Sequence, residues 1–209
     1  MGLKKLFMIL LLLTSFPILV SAEQRPSIMG IYDEVPGQRF VFDGKQVEVI
    51  EFLSFYCGHC YEFEKLIPVI KGNFPKKIKW KVVPVHWGKG SPKPAEAYFL
   101  AVEAGKGDEM KKALFEAFFI EKKDIGDIEV LERLGTKVGL GFDFSLRLRT
   151  GEKALNAEEA ITLSRIYGID ETPTLIIAGN LKESPGMLDH NVNILRDNTI
   201  LILRSILRK

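Results

Sequence analysis

Cysteine is almost missing from this sequence. Its 209 residues hold two, Cys57 and Cys60, which excludes a framework of structural disulfides. A bridge between these two would close a very short ring and constrain the unfolded chain by about 2 kcal/mol, against nearly 5 kcal/mol for a loop of about 100 residues. A chain of this length, 46% hydrophobic, forms a core without such a staple. Histidine is scarce too, and His59, His86 and His190 are scattered along the chain. With no second cysteine pair, a four-ligand structural zinc site is excluded, and no metal is expected. Charge of one sign is lacking: the formal net charge is +2, and Lys4 and Lys5 account for it. A balanced chain gives no reason to expect a nucleic-acid partner. Internal repeats and low-complexity tracts are absent. The longest apolar run, Leu6 to Val20, falls short of the roughly 20 residues that span a bilayer.

That run has a different use. Lys4 and Lys5 precede it and the small-residue pattern Val20-Ser21-Ala22 follows it. Residues 1–22 therefore read as a secretory signal peptide, with cleavage expected after Ala22. No cysteine adjoins that position, which excludes a lipoprotein anchor. An exported chain enters a compartment that permits disulfides. With staple and zinc set aside, redox chemistry is the reading left for Cys57 and Cys60.

The remaining pattern is mixed. "FVFDG" predicts a short strand at Phe40–Phe42 and a turn. "QVEVIEFLSFY" is rich in β-branched and aromatic residues and predicts a buried central strand over Val47–Phe55. Phe63, Leu66, Ile67 and Ile70 then recur at helical spacing, with Pro68 expected to kink or end the helix locally. A second strand is expected over Ile78–His86, giving a βαβ unit with parallel strands. From Ser91 to Tyr167 the strand signal disappears. Helices are expected over 94–104, 109–119, 128–138, 143–149 and 152–167, with Asp108 and Asp127 as N-caps and Gly168 just past the last. Strands at 174–178 and 181–184 flank Gly179-Asn180, a two-residue hairpin signal. A final helix over 190–207, capped by Asp189, places Leu195, Thr199, Ile202, Leu203 and Ile206 on one face. The fold class is α/β: a mixed central sheet with an inserted all-helical domain.

A cysteine that ends a strand and opens a helix lies at the positive end of the helix dipole, which favours its thiolate. Cys57 has that position. Cys60 is one turn on, adjacent and more buried. Cys57 is thus the exposed sulfur that exchanges with a substrate, and Cys60 resolves the mixed disulfide. Gly58 lets the backbone turn tightly. A protonated His59 would add positive charge near Cys57, although the plainer alternative is a solvated first-turn side chain. Stabilising the thiolate stabilises the reduced form and makes the disulfide a stronger oxidant.

The chain resembles thioredoxin-fold proteins of the DsbA type, bacterial periplasmic thiol:disulfide oxidoreductases. "VIEFLSFYCGHCYEFE" is similar to that family's active-site strand and helix, and "GIDETPTLIIAGN" to its cis-proline loop and hairpin. The resemblance implies residues 23–90 as the N-terminal part of a thioredoxin fold, 91–167 as a helical insertion and 168–209 as the C-terminal part. It implies Cys57 as nucleophile, Cys60 as resolving cysteine, and Pro173 as a cis-proline facing the disulfide. Pro173 would present the Thr172 backbone to an extended substrate that pairs like an added strand. Glu51 falls within an apolar strand on the face of Leu53 and Phe55, where a carboxylate is costly without a partner or a task. The family carries an acid there that is thought to move protons at the resolving cysteine. The implied partners are reduced or unfolded exported proteins and, for reoxidation, a membrane quinone reductase of the DsbB type. The expected location is the periplasm and the expected state a monomer. No cofactor is expected beyond the redox-active disulfide Cys57–Cys60.

Three positions depart from the family pattern. Gly58-His59 stands where Pro-His is common and matches the pair typical of protein disulfide isomerase. Thr172 stands where oxidases often have Val and the bacterial isomerases have Thr. Val82 stands where a Lys often faces the buried acid, with Lys81 on the other face of the strand. A reductase or isomerase of the same fold is therefore the first alternative. About 20 residues precede the first expected strand, too few for the dimerisation domain of the bacterial isomerases. A peptide-binding chaperone with a passive disulfide is a second alternative. A glutathione-dependent transferase is disfavoured by the intact C-x-x-C.

Overall fold

The structure is a computed structural model and describes residues 27–88 and 90–208; the expected signal peptide lies outside them. Five strands form one mixed sheet. In chain order they are β1 (Asp33–Glu34), β2 (Val47–Leu53), β3 (Ile78–Pro84), β4 (Thr174–Ile177) and β5 (Leu181–Glu183), and their order across the sheet is β1-β5-β4-β2-β3. β2 and β3 are parallel, and the other pairs are antiparallel. Between β2 and β3 run α1 (Gly58–Glu64) and α2 (Ile67–Asn73). Pro68 lies in the first turn of α2, where a missing N–H costs nothing, so the helical pattern divides just before it.

Between β3 and β4 come α3 (Lys93–Glu103), α4 (Gly107–Phe115), a π-helical turn (Glu116–Ile120), α5 (Ile128–Lys137), α6 (Phe142–Arg149) and α7 (Ala154–Ile166). A short 3-10 turn (Pro185–Met187) and α8 (Val192–Leu207) end the fold. This is the thioredoxin-like α/β architecture with a helical insertion that the sequence implies.

Strand alternation sorts the core into layers. Val47, Val49, Leu175 and Ile177 pack against Phe63, Ile67 and Ile70 of α1 and α2 and against Leu195, Ile202 and Leu203 of α8. Ile50, Phe52 and Ile176 point the other way, towards Ile161, Leu163 and Tyr167. The third core is the insertion's own, built on Leu100, Met110, Leu114, Leu131 and Leu148. It also takes in Leu53, Phe55 and Cys60. Each fully buried Leu or Phe stabilises by about 1.5–3 kcal/mol, so the insertion is fastened to the strand and helix that carry the cysteines.

Several local expectations are corrected. The first strand is Asp33–Glu34, not Phe40–Phe42. Val41 N–H makes a single 2.7 Å bond to the Ala178 carbonyl and no ladder. The N-cap of α4 is Lys106, and Asp108 falls in the first turn, where its charge still complements the helix dipole. Asn191 caps α8: its side chain accepts from the N–H groups of Asn193 and Ile194 at 2.9 and 3.3 Å, while Asp189 and His190 form a left-handed bend before it. The hairpin loop has three residues, since Ile177 pairs with Leu181. Ala178 and Gly179 both have positive φ, and a Cβ on Gly179 would stand 2.6 Å from the Arg39 carbonyl oxygen. Asp127 does cap α5, accepting from Glu129 N–H at 2.8 Å.

Candidate active site

Cys57 follows the C-terminal end of β2 and is the N-cap of α1. A cap residue keeps extended backbone while its side chain meets the free N–H groups of the first turn. Here Cys60 N–H donates to Cys57 Sγ at 3.4 Å. Both cysteines are thiols in the structure. The Cys60 thiol lowers the Cys57 pKa most, as a donor to its sulfur. Partial burial opposes it, and the Thr172 hydroxyl and the backbone N–H groups of Cys60 and His59 add to the lowering, for a result of about 6. Each donor favours the thiolate over the thiol.

Cys60 is shifted the opposite way. It is 1% exposed, and burial, with its bond to Cys57 next, raises its pKa well above the ordinary thiol value. Two sulfurs one helical turn apart therefore differ sharply in acidity. One is a good leaving group as a thiolate, and the other is held as a thiol until a base takes its proton.

The loop before β4 completes this face. The Thr172–Pro173 peptide is cis, and Cys57 Sγ donates to the Thr172 carbonyl oxygen at 3.0 Å. Glu171 anchors the loop: its carboxylate accepts from the Ser184 hydroxyl and from Gly186 N–H, while its carbonyl accepts from Thr174 Oγ1 at 2.8 Å. No local pattern singles out Glu171, because its partners follow the hairpin.

Glu51 is completely buried in the middle of β2. Its Oε2 accepts from the Trp80 indole N–H at 2.8 Å, and its Oε1 has no hydrogen-bond partner among the described residues. Burial raises its pKa to about 7, against the opposing pull of Lys111 and then of the indole. Val82 is the residue in register with Glu51 on β3, and Lys81 turns away to an ion pair with Glu48. The cation comes instead from α4, where Lys111, 2% exposed, pairs with Glu64 of α1 at 2.7 Å. The sequence pattern does not mark Lys111 either, since a lysine on an amphipathic helix ordinarily reads as surface.

An aromatic wall rises beside the cysteines. The π-helical turn brings Phe118 edge-on to Tyr56 at 5.2 Å and stacks Phe119 on Tyr61 at 5.0 Å. An α-helix continued over 109–119 would space these rings differently. Gly58 and His59 lie in the first turn of α1, with Phe119 at the edge of the space above Gly58. Part of the surface around Cys57 is thus supplied by the insertion. A groove of about 690 Å³ lined by Arg39, Gln46, Glu48 and Lys79 opens at the start of β2 and β3, away from Cys57. Among the described residues no cluster of His, Cys, Asp and Glu could hold a metal ion, and no helix is long and apolar enough to cross a membrane.

Comparison with known proteins places these features in a family. The sequence model described as "DSBA-like thioredoxin domain" matches residues 48–193. The thiol:disulfide interchange protein DsbA of Haemophilus influenzae is 42% identical over 77 residues, 35% of this chain and 38% of that protein. The DsbA of Azotobacter vinelandii is 26% identical over 173 residues, 82% of this chain and 80% of that protein. Among solved structures, the oxidoreductase DsbA from Xylella fastidiosa superposes with a TM-score of 0.70 at 22% identity, covering 84% of this chain and 94% of that one.

Proposed function

We propose a function from one premise: this chain belongs to the family of DSBA-like thioredoxin domains. It is a thiol:disulfide oxidoreductase, and the reading supported best is that it donates a Cys57–Cys60 disulfide to pairs of thiols in exported proteins. A substrate thiolate attacks Cys57 Sγ. The Cys57–Cys60 bond breaks, and its electron pair leaves on Cys60, which takes up a proton. The substrate's second thiolate then attacks the substrate sulfur of the mixed disulfide and expels Cys57 as a thiolate. The substrate gains a disulfide, and the protein is reduced by two electrons. No metal or organic cofactor takes part. The periplasm is the proposed location, the protein is proposed to act as a monomer, and a quinone-linked membrane partner of the DsbB type is proposed to restore the disulfide.

The observation that carries this reading is the opposite displacement of the two thiols. A Cys57 thiolate favoured at neutral pH stabilises the reduced protein, and a stabilised reduced form makes the disulfide oxidising. Cis-Pro173 and the Thr172 carbonyl beside Cys57 support an extended substrate pairing there. Gly58, His59 and Thr172 keep isomerase or reductase activity as the second reading. Equilibration with glutathione separates the two, together with the redox state of the protein trapped in cells. A readily reduced disulfide that is found oxidised in vivo is expected. A protein that is mostly reduced in vivo overturns the oxidase reading. Loss of activity in Cys57→Ser is expected as well, and full retention would leave a passive-disulfide chaperone.

A further inference from the structure

Glu171 comes just before Thr172 and Pro173 and is held from beyond the hairpin. One oxygen of its carboxylate, Oε1, accepts from both the Ser184 hydroxyl and Gly186 N–H, the latter at 3.0 Å. These donors belong to the turn after β5, which is tied by hydrogen bonds of its own. Met187 N–H donates to the Ser184 carbonyl, and the N–H groups of Leu188 and His190 both donate to the Pro185 carbonyl. Leu188 is buried in the core that includes α8. Gly186 admits the carboxylate, because a Cβ at that position would overlap Oε1.

The residues between this anchor and the sheet are the ones that meet Cys57. Thr174 pairs with Phe52 of β2, and its Oγ1 donates to the Glu171 carbonyl at 2.8 Å. Thr172 and Pro173 thus run between two held positions. Thr172 offers Cys57 two groups of opposite effect. Its carbonyl, 3.0 Å from Sγ, accepts from the thiol, and its hydroxyl favours the thiolate. How the residue is turned therefore matters to the sulfur. The main influences on Cys57 are Cys60, Thr172 and the N–H of His59, and Glu171 is not among them.

We propose that Glu171 is a positioning residue of the exchange site: by accepting from Ser184 and Gly186 on one oxygen, it holds Thr172 in the orientation that serves the Cys57 thiolate. Its use rests on the thiol–disulfide reading. Cys57 leaves as a thiolate when the substrate's second sulfur closes the substrate disulfide, and a better stabilised thiolate leaves faster. A carboxylate acting on Cys57 by charge alone would do the reverse, since like charge disfavours a thiolate. Position and charge therefore predict opposite signs when the carboxylate is removed.

Ultraviolet absorbance of the thiolate against pH, on the reduced protein, reads this without turnover. In Glu171→Ala the Cys57 midpoint is expected to rise by up to roughly 0.7 pH units, the worth of one hydrogen bond. Glu171→Gln keeps an oxygen for both donors and should hold the midpoint at or below that of the parent. Gly186→Ala keeps the charge but drives the end of the Glu171 side chain aside, and should raise the midpoint as Glu171→Ala does. In a Thr172→Val background Glu171→Ala should add no further rise. This pattern supports the role. An unmoved or lowered midpoint in Glu171→Ala overturns it. So does an equal rise in Glu171→Gln, or a rise that survives in the Thr172→Val background. If Glu171→Ala fails to fold, Gly186→Ala decides, because only a flexible side-chain end must move to admit its Cβ. An unmoved or lowered midpoint there rejects the role. Such a failure leaves the oxidase reading standing, and a protein found mostly reduced in vivo overturns that reading without touching the titration.

Discussion

Cys57 Sγ and the Thr172 carbonyl oxygen lie 3.0 Å apart although 115 positions separate them in the chain. The thiol donates across that gap. Once the proton leaves, two acceptors face each other, and the Cys60 thiol, then the Thr172 hydroxyl and the first N–H groups of α1, hold the sulfur's charge.

Thr172→Val removes that hydroxyl and keeps the branched shape. The Cys57 midpoint is expected to rise above about 6, by roughly 0.7 pH units, equivalent to a hydrogen bond of about 1 kcal/mol. Ultraviolet absorbance of the thiolate, read against pH, measures it. An unmoved midpoint would show that the Cys60 thiol and the backbone donors suffice.

The same thiolate makes stability depend on pH. Cys57 has a folded pKa of about 6 against an ordinary 9. Its contribution is fully present above the unfolded value and is lost as pH falls through the folded one. The stability of the reduced protein relative to the oxidised protein should therefore climb between about pH 6 and 9, by at most about 1.4 kcal/mol per unit. Denaturant unfolding of the two redox forms measures it, and Cys57→Ser, which cannot form the disulfide, should show no difference between oxidising and reducing conditions at any pH. Glu51 and Glu183 are present in both forms and largely cancel in the difference.

Glu183 carries the opposite sign. It is fully buried between β5 and α8, with Asn198 Nδ2 and Thr199 Oγ1 each 2.6 Å from its oxygens. Asn198 also donates to the Ile31 carbonyl at 2.7 Å and accepts from Ile31 N–H at 2.8 Å. Thr199 Oγ1 donates to Glu183 Oε1, with the Leu195 carbonyl as a second acceptor at 2.8 Å. Burial raises the Glu183 pKa to about 8, against the opposing pull of the Thr199 and Asn198 hydrogen bonds. A raised carboxyl stabilises fully below its unfolded value near 4.5, and that stabilisation is lost as pH rises through 8. Glu183→Gln stays uncharged at every pH and keeps an acceptor. It should match the parent at about pH 5 and exceed it in melting temperature at about pH 9. A constant difference between the two at both pH values would contradict this.

The cysteine spacing, the strand before it and the helix after it were legible in the sequence because each rests on contacts a few residues apart. The apolar alternation of 47–53, the helical recurrence of Phe63, Ile67 and Ile70, and the burial of Glu51 come from the same short-range periodicities. Boundaries were less legible. Asp108 and Asp189 are both good capping residues, yet the turns that precede α4 and α8 delivered Lys106 and Asn191 to the cap positions. The tertiary structure alone decided how the site is completed: Lys111 set against Glu64, Trp80 against Glu51, Thr172 against Cys57, and Phe118 and Phe119 against Tyr56 and Tyr61. These pairs join strands and helices through the packing of whole layers, and no local period of the chain encodes which distant side chain arrives. The sequence determined where the sulfur chemistry sits; packing determined which groups hold its protons.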